Sequence, residues 1–252
     1  MTPQAELQIK VISDESDGRR LVEGYLQHQA ELSTPLRILE AGCGRRWAMR
    51  MQGIDWELTG VDLDADALAA RKSIVGDLDI GIVGDLRSVQ LESAAYDVVY
   101  SWWVLEHIAG ATAVLKRFVT WVKPGGIVIV RVPDRDSVHG LITRMTPFWF
   151  HVWFYRWVKG IRNAGKPGFG PYPTVYDEVI ALDGMTLFAE QNGLLLREAV
   201  RIGDYRHQGK GLFGRMLPLF AKMVSALTLG HVHADAMDLL FVLERPARSS
   251  ID

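Results

Sequence analysis

Among the 252 residues there is one cysteine, Cys43. No internal disulfide is possible, and nothing in the chain requires an oxidising compartment. An excess of basic charge is missing as well: 28 Lys and Arg stand against 30 Asp and Glu, for a net charge of -2. Without surplus cations to neutralise phosphates, nucleic acid is disfavoured as a partner. Clean apolar runs of membrane-spanning length are absent. The most apolar tract, Gly211 to Gly230, is interrupted by Arg215, Pro218 and Lys222. The opening residues MTPQAELQIKVISDESDGRR hold neither an apolar stretch nor a small-residue cleavage site. No signal peptide is read there, and a cytoplasmic location is expected. Repeats and low-complexity tracts are also lacking.

What is present is an ordinary globular composition, 48% hydrophobic and 23% charged, laid out in alternating segments. Short runs of Val, Ile and Leu predict strands at Arg37 to Ala41, Trp56 to Asp62, Asp79 to Gly84, Asp97 to Tyr100 and Ile127 to Val132. Helical spacing predicts helices at Arg20 to Glu31, Asp64 to Lys72 and Ala111 to Val122, with another over Arg45 to Gln52. Further on, a helix is expected over Val175 to Gln191 and another within Leu212 to Leu227. Strands are expected near Leu196 to Arg201 and at Asp238 to Leu243. Strands that are apolar throughout and separated by helices imply a mostly parallel sheet buried on both faces. The expectation is one α/β domain over residues 1–252 with seven strands flanked by helices. Residues 20–133 would form a ligand-binding half, 134–176 an insertion after the fifth strand, and 177–252 the rest of the sheet.

Polar and glycine residues follow four successive apolar runs. Gly42 and Gly44 end the first, where the backbone can approach a ligand without Cβ interference. Asp62 ends the second, 20 residues beyond Gly42, placed to accept from both hydroxyls of a ribose. Asp85 ends the third, placed to read the exocyclic amine of adenine, and Ser101-Trp102 end the fourth. Taken singly, Asp62 and Asp85 also suit helix N-caps. Cys43, between two glycines, reads as a small packing residue rather than a nucleophile.

Glu40-Ala-Gly42-Cys-Gly44, Gly60-Val-Asp62-Leu, Gly84-Asp85-Leu86, Tyr96-Asp-Val-Val-Tyr-Ser101, Val104-Leu-Glu-His-Ile108 and Lys123-Pro-Gly-Gly126 resemble, in order, the motifs of class I S-adenosylmethionine-dependent methyltransferases. The likeness is closest to the branch acting on small molecules, lipids and quinones. It is strong over residues 37 to about 133 and looser beyond. The resemblance implies a Rossmann-like fold with S-adenosylmethionine as cofactor, and methyl transfer to an oxygen or nitrogen of a small or lipid-like acceptor. Glu40, Gly42 and Gly44 would line the amino-acid end of the cofactor, with Asp62 on the ribose. Leu63 would pack on the adenine, Asp85 would accept from its amino group with Leu86 alongside, and Ser101 would lie near the methionine moiety. One departure stands out: Arg45-Arg46-Trp47 follow Gly44 where many relatives have another glycine. Trp47 also occupies the third glycine position of a nicotinamide-binding turn, which counts against an oxidoreductase on a similar sheet. A cofactor-binding protein without turnover is the remaining alternative.

His107, just past the fourth strand, is the candidate general base; its bland reading is a histidine bonded to backbone at a helix start. Methyl transfer from a sulfonium rests mainly on in-line positioning, so a base is required only for acceptors such as alcohols or phenols. His231 and His233, with Asp235 and Asp238 nearby, fit an exposed polar turn better than a metal site, and no metal is expected. Residues 148–176 contain ten of the 24 aromatics, with Arg144, His151, Arg156 and Lys159 interleaved or flanking. Such a segment suits a lid that encloses a hydrophobic acceptor or rests, through 148–172, on a membrane surface.

Overall fold

A computed structural model describes residues 9–12, 15–166, 169–203, 212–229, 231–234 and 236–247. Its centre is an eight-stranded mixed sheet in the order β1-β7-β8-β6-β5-β2-β3-β4. The strands are β1 (Lys10–Ile12), β2 (Leu36–Ala41), β3 (Trp56–Asp62), β4 (Ile80–Val83), β5 (Tyr96–Trp102), β6 (Val122–Pro133), β7 (Leu195–Gly203) and β8 (Ala236–Glu244). Every pairing is parallel except those of β8, which runs antiparallel to both β6 and β7. The eighth strand relative to expectation is β1, three residues on the edge beside β7. Its Lys-Val-Ile is too short to stand out in a polar leader.

Neighbouring residues on the strands divide between two cores. Leu39, Val99, Val128 and Phe241 join one face, and Ile38, Val98, Ile129 and Leu240 the other. Side chains alternate across a strand, so a sheet covered on both faces needs an uninterrupted apolar run. One face is covered by α1 (Glu15–Leu32), whose buried Gly18, Val22, Leu26 and Gln29 repeat at helical spacing. The other is covered by α3 (Ala111–Trp121), through Val114, Leu115 and Phe118, and by α6 (Leu182–Gln191). Between β3 and β4 lies α2 (Ala65–Ala70), capped by Asp64, whose side chain accepts from the amides of Asp66 and Ala67. It runs on into a π-helical turn, Arg71–Val75. After β6 come α4 (Val138–Met145) and α5 (Phe148–Trp157), and α7 (Leu212–Leu227) precedes β8.

Two expected helices differ. Residues 45–52 are irregular, because side chains from elsewhere take their amides. The Trp47 amide donates to Asp77 (3.3 Å) and that of Arg50 to Glu23 (2.9 Å). Trp47 itself packs against Trp56 and Tyr100. The helix expected over 175–191 breaks at Ala181, whose ψ of 165° is extended. A 3-10 turn (Glu178–Ile180) precedes the break and α6 follows it.

The chain runs from β2 outward to β3 and β4, then crosses to place β5 on the other side of β2. At such a reversal of strand order, the loops after the two central strands diverge and leave a crevice at their C-terminal ends.

Candidate functional site

The crevice is a cavity of about 850 Å³, within the range of small-molecule sites. Its wall begins at the turn after β2. Gly42 and Gly44 adopt φ of +79° and +54°, in the left-handed region that favours glycine. A Cβ on Gly42 would lie 2.4 Å from Val104 Cγ2, whereas one on Gly44 would meet nothing within 4 Å. The first glycine is therefore a packing requirement, and the second leaves bare backbone against the cavity.

Asp62 at the end of β3 organises this turn. One carboxylate oxygen accepts from the Gly44 amide (2.7 Å) and the other from the Asp64 amide (2.9 Å). An ionised carboxylate offers about four lone-pair sites, so two remain after these bonds. Leu63 follows, 72% exposed, an apolar side chain uncovered along the cavity. Past β4, Asp85 and the buried Leu86 reach the same wall. Arg87 clasps Asp85 through Nε (3.0 Å to both oxygens) and Nη2 (2.5 Å). These side-chain bonds, helped by the Arg87 amide, hold the Asp85 carboxyl below its ordinary range.

Glu40 and Ser101 are buried and lie outside the lining. Glu40 meets the fully buried Arg71, whose Nη1 donates to Glu40 Oε2 and to the Cys43 carbonyl, both at 2.8 Å. Arg71 Nε donates to Asp77 (2.8 Å). Burial pushes the Glu40 carboxyl up, and Arg71 opposes that shift. Burial likewise raises the Cys43 thiol to about 12, which removes it as a nucleophile. Ser101 Oγ is buried without a hydrogen-bond partner among the described residues.

The opposite wall holds His107, Trp102, Trp103, Ile108 and Tyr172. His107 Nδ1 lies 2.8 Å from the Pro173 carbonyl. A carbonyl only accepts, so Nδ1 carries the proton and Nε2 keeps its lone pair in the neutral ring. Burial lowers the His107 pKa from its ordinary 6.5, with the Pro173 bond opposing. Tyr172 stands edge-on to His107, ring centroids 5.6 Å apart. Burial raises its hydroxyl pKa, and the carboxylates of Asp64 and Asp62 add to that. Tyr172 is thus coupled to both walls. Trp103 takes φ +57° at the end of β5. The Arg131 guanidinium sits 4.5 Å from the rings of both Trp102 and Trp103 and donates to Asp238 (2.6 and 3.0 Å). The two indoles are consequently held by a buried ion pair.

Gly42, Gly44, Asp62, Leu63, Asp85, Leu86 and His107 therefore meet at one cavity, and Arg45 joins them through its pair with Asp64 (3.1 Å). Trp47 does not enter it. Arg71 and Arg87 carried no signal in the sequence, and Tyr172 stood out only as one of the aromatics of residues 148–176. Asp235 lies outside the described residues, and among those described no cluster of three or more His, Cys, Asp or Glu could hold a metal. The residues fit an adenosyl ligand: bare backbone at Gly44, an anchored carboxylate with spare lone pairs, and an uncovered leucine next to it.

A model of the methyltransferase domain family matches residues 15–164. The ubiquinone biosynthesis O-methyltransferase of Burkholderia ambifaria is 29% identical over 120 residues, 45% of this chain and 50% of that protein. The chain thus spans about half the length of such curated relatives. Phosphoethanolamine N-methyltransferase 2 of Haemonchus contortus, solved with S-adenosyl-L-methionine, superposes with a TM-score of 0.51 at 16% identity, covering 90% of this chain and 52% of that one. An S-adenosylmethionine-dependent methyltransferase of Archaeoglobus fulgidus gives a TM-score of 0.50 at 15% identity, covering 89% and 93%.

Proposed function

This chain belongs to the methyltransferase domain family, with its Rossmann-like fold. From that premise we propose that it binds S-adenosylmethionine and directs the methyl group to an oxygen or nitrogen of a small or lipid-like acceptor. The observation that carries the reading is one cavity with two unlike walls: glycine backbone and carboxylates on one side, His107 and aromatic rings on the other. Bound S-adenosylmethionine supplies a methyl group on a cationic sulfur, already activated for in-line transfer.

Asp62 takes the ribose hydroxyls on its two remaining lone pairs. Leu63 and Leu86 cover the adenine, and Asp85 accepts from its amino group once Arg87 yields part of its clasp. Gly42 and Gly44 bring backbone to the amino-acid end. Glu40 acts from behind this wall, holding the turn through Arg71 and the Cys43 carbonyl, and Ser101, buried near the end of β5, backs the wall beside the methionine moiety. Trp102, Trp103 and Tyr172 bound the acceptor side with apolar surface. His107, neutral and with Nε2 available, accepts the acceptor's proton.

Calorimetric titration of S-adenosylmethionine and S-adenosylhomocysteine into the purified chain should give one site with a Kd on the order of micromolar, about -8 kcal/mol. Absence of heat with both ligands would overturn the proposal.

A pH profile tests the base. The folded pKa of His107 is lowered, so the ring is neutral and competent above that value and is protonated as pH falls through it. Transfer of a labelled methyl group to a panel of alkyl phenols should therefore be flat above pH 6.5 and fall on an acid limb below it. His107→Asn should lower kcat by roughly 10²-fold or more and remove the acid limb. An unchanged limb in the variant would exclude His107 as the base.

A further inference from the structure

We propose that α4, α5 and α7 form a docking face for an anionic lipid bilayer. The charge distribution is the first observation. Residues 137–176 and 205–234 contain nine Lys and Arg but none of the 30 Asp and Glu. In a chain of net charge -2, the remaining residues are therefore strongly acidic, and the two acid-free segments are set apart from them in charge.

The fold sets α4 of the first segment beside α7 and residues 231–234 of the second. The Val138 amide at the start of α4 donates to the His233 carbonyl (2.9 Å), the His233 amide donates to the Asp136 carbonyl (2.8 Å), and α4 packs on α7. Arg144, Arg156, Lys159, Arg162 and Lys166 are all exposed.

Large apolar side chains are exposed on α4, α5 and α7. On α5, which buries no residue, Trp149, Trp153 and Trp157 repeat at i, i+4 and i+8 and are 47 to 77% exposed. On α7, Leu219, Met223 and Leu227 repeat at the same spacing and are 52 to 76% exposed, with Met145 of α4 and Leu229 also uncovered. Such lines of apolar residues along one side of a helix, edged by cations, suit a helix lying in a headgroup layer, where indole rings are favoured.

The lengths exclude spanning. At 1.5 Å per residue, the ten residues of α5 reach about 15 Å against a hydrocarbon core of about 30 Å. Among the described residues no helix is long and apolar enough to cross a membrane. A second copy of the chain is a poor occupant, because a two-fold contact would set one acid-free cationic face against another. An anionic surface complements both features, attracting the cations electrostatically while the indoles settle among the headgroups. The face is continuous with the cavity along the chain, since Tyr172 follows 15 residues after Trp157. The proposal stands whether or not the cavity transfers a methyl group.

The test is co-sedimentation of the full chain with vesicles of phosphatidylcholine alone, or with about 30% phosphatidylglycerol, at two salt concentrations. The anionic vesicles should capture at least about tenfold more protein, less so at high salt. The triple variant Trp149→Ala/Trp153→Ala/Trp157→Ala should lose about tenfold of that binding while its S-adenosylhomocysteine titration stays unchanged. The variant Leu219→Glu/Leu227→Glu should do the same through the other helix, and it carries the test if the first fails to fold. Equal capture by neutral vesicles, or undiminished capture of both folded variants, would overturn the proposal. So would sedimentation velocity showing a dimer that the variants convert to monomer without any vesicle binding.

Discussion

Asp62→Ala should weaken S-adenosylmethionine binding by roughly 10²- to 10³-fold, about 3 to 4 kcal/mol, with the fold intact. Two losses combine. The ribose hydroxyls lose a charged acceptor, and hydrogen bonds to charged groups contribute about 1.5 to 3 kcal/mol each. The Gly44 and Asp64 amides lose the carboxylate that fixes them at 2.7 and 2.9 Å, so the turn that leaves bare backbone against the cavity is no longer held. Asp62→Asn separates the effects. An amide group has a single acceptor oxygen where the carboxylate has two, so its NH2 must face either Gly44 N–H or Asp64 N–H. Its affinity should fall between wild type and alanine. Calorimetry on the three proteins, with thermal unfolding as the check on folding, decides the matter. Wild-type affinity in Asp62→Ala would remove Asp62 from the site and leave the cavity as a feature of the fold.

The same residue shows what could be read from sequence. Strand β3 was expected with the bounds it has, because a parallel strand covered on both faces writes itself as an apolar run, and Asp62 marks where that run meets water. Gly42, Gly44, Asp85 and His107 follow the same logic: each lies just beyond a strand or at its end, and parallel strands bring their C-terminal ends to one edge. Side-chain direction was less legible. A carboxylate at the end of β2 suggests a ligand for the cavity, yet Glu40 points to Arg71, and Arg71 is turned inward from a π-helical turn about thirty residues further on. Nothing local in Ala-Ala-Arg-Lys distinguishes that arginine from one on a solvated helix face. Residues 45–52 failed as a helix for a related reason, since their amides are claimed by Glu23 and Asp77 from distant segments. Tyr172 was legible only as part of an aromatic segment; its place over the cavity depends on the path of the chain between Trp157 and Pro173.

Arg71→Met should be the most destabilising single change considered, at about 3 to 5 kcal/mol, because it leaves buried carboxylates without their cation. Arg71 is fully buried, and Glu40 and Asp77 both lie at 2.8 Å from it. Asp77 is partly exposed and can recruit water, whereas Glu40 cannot. For a chain of this size the loss corresponds to a fall in Tm of roughly 6 to 20 °C. Protonation offers Glu40 a way out, since burial already pushes its carboxyl up to about 8 against the pull of Arg71. Without the guanidinium its folded pKa rises further above the unfolded value, so the variant should recover stability as pH falls and lose it as pH rises. Glu40→Gln in the Arg71→Met background should restore about 1 to 3 kcal/mol and flatten that pH dependence, because the buried group is then neutral at every pH. The site should register the change as well: the Cys43 carbonyl between the two glycines loses its donor, so cofactor affinity should drop even at temperatures where the variant is folded. A loss of under about 1 kcal/mol in Arg71→Met, with cofactor binding unaltered, would mean that the turn after β2 holds its shape without the ion pair beneath it.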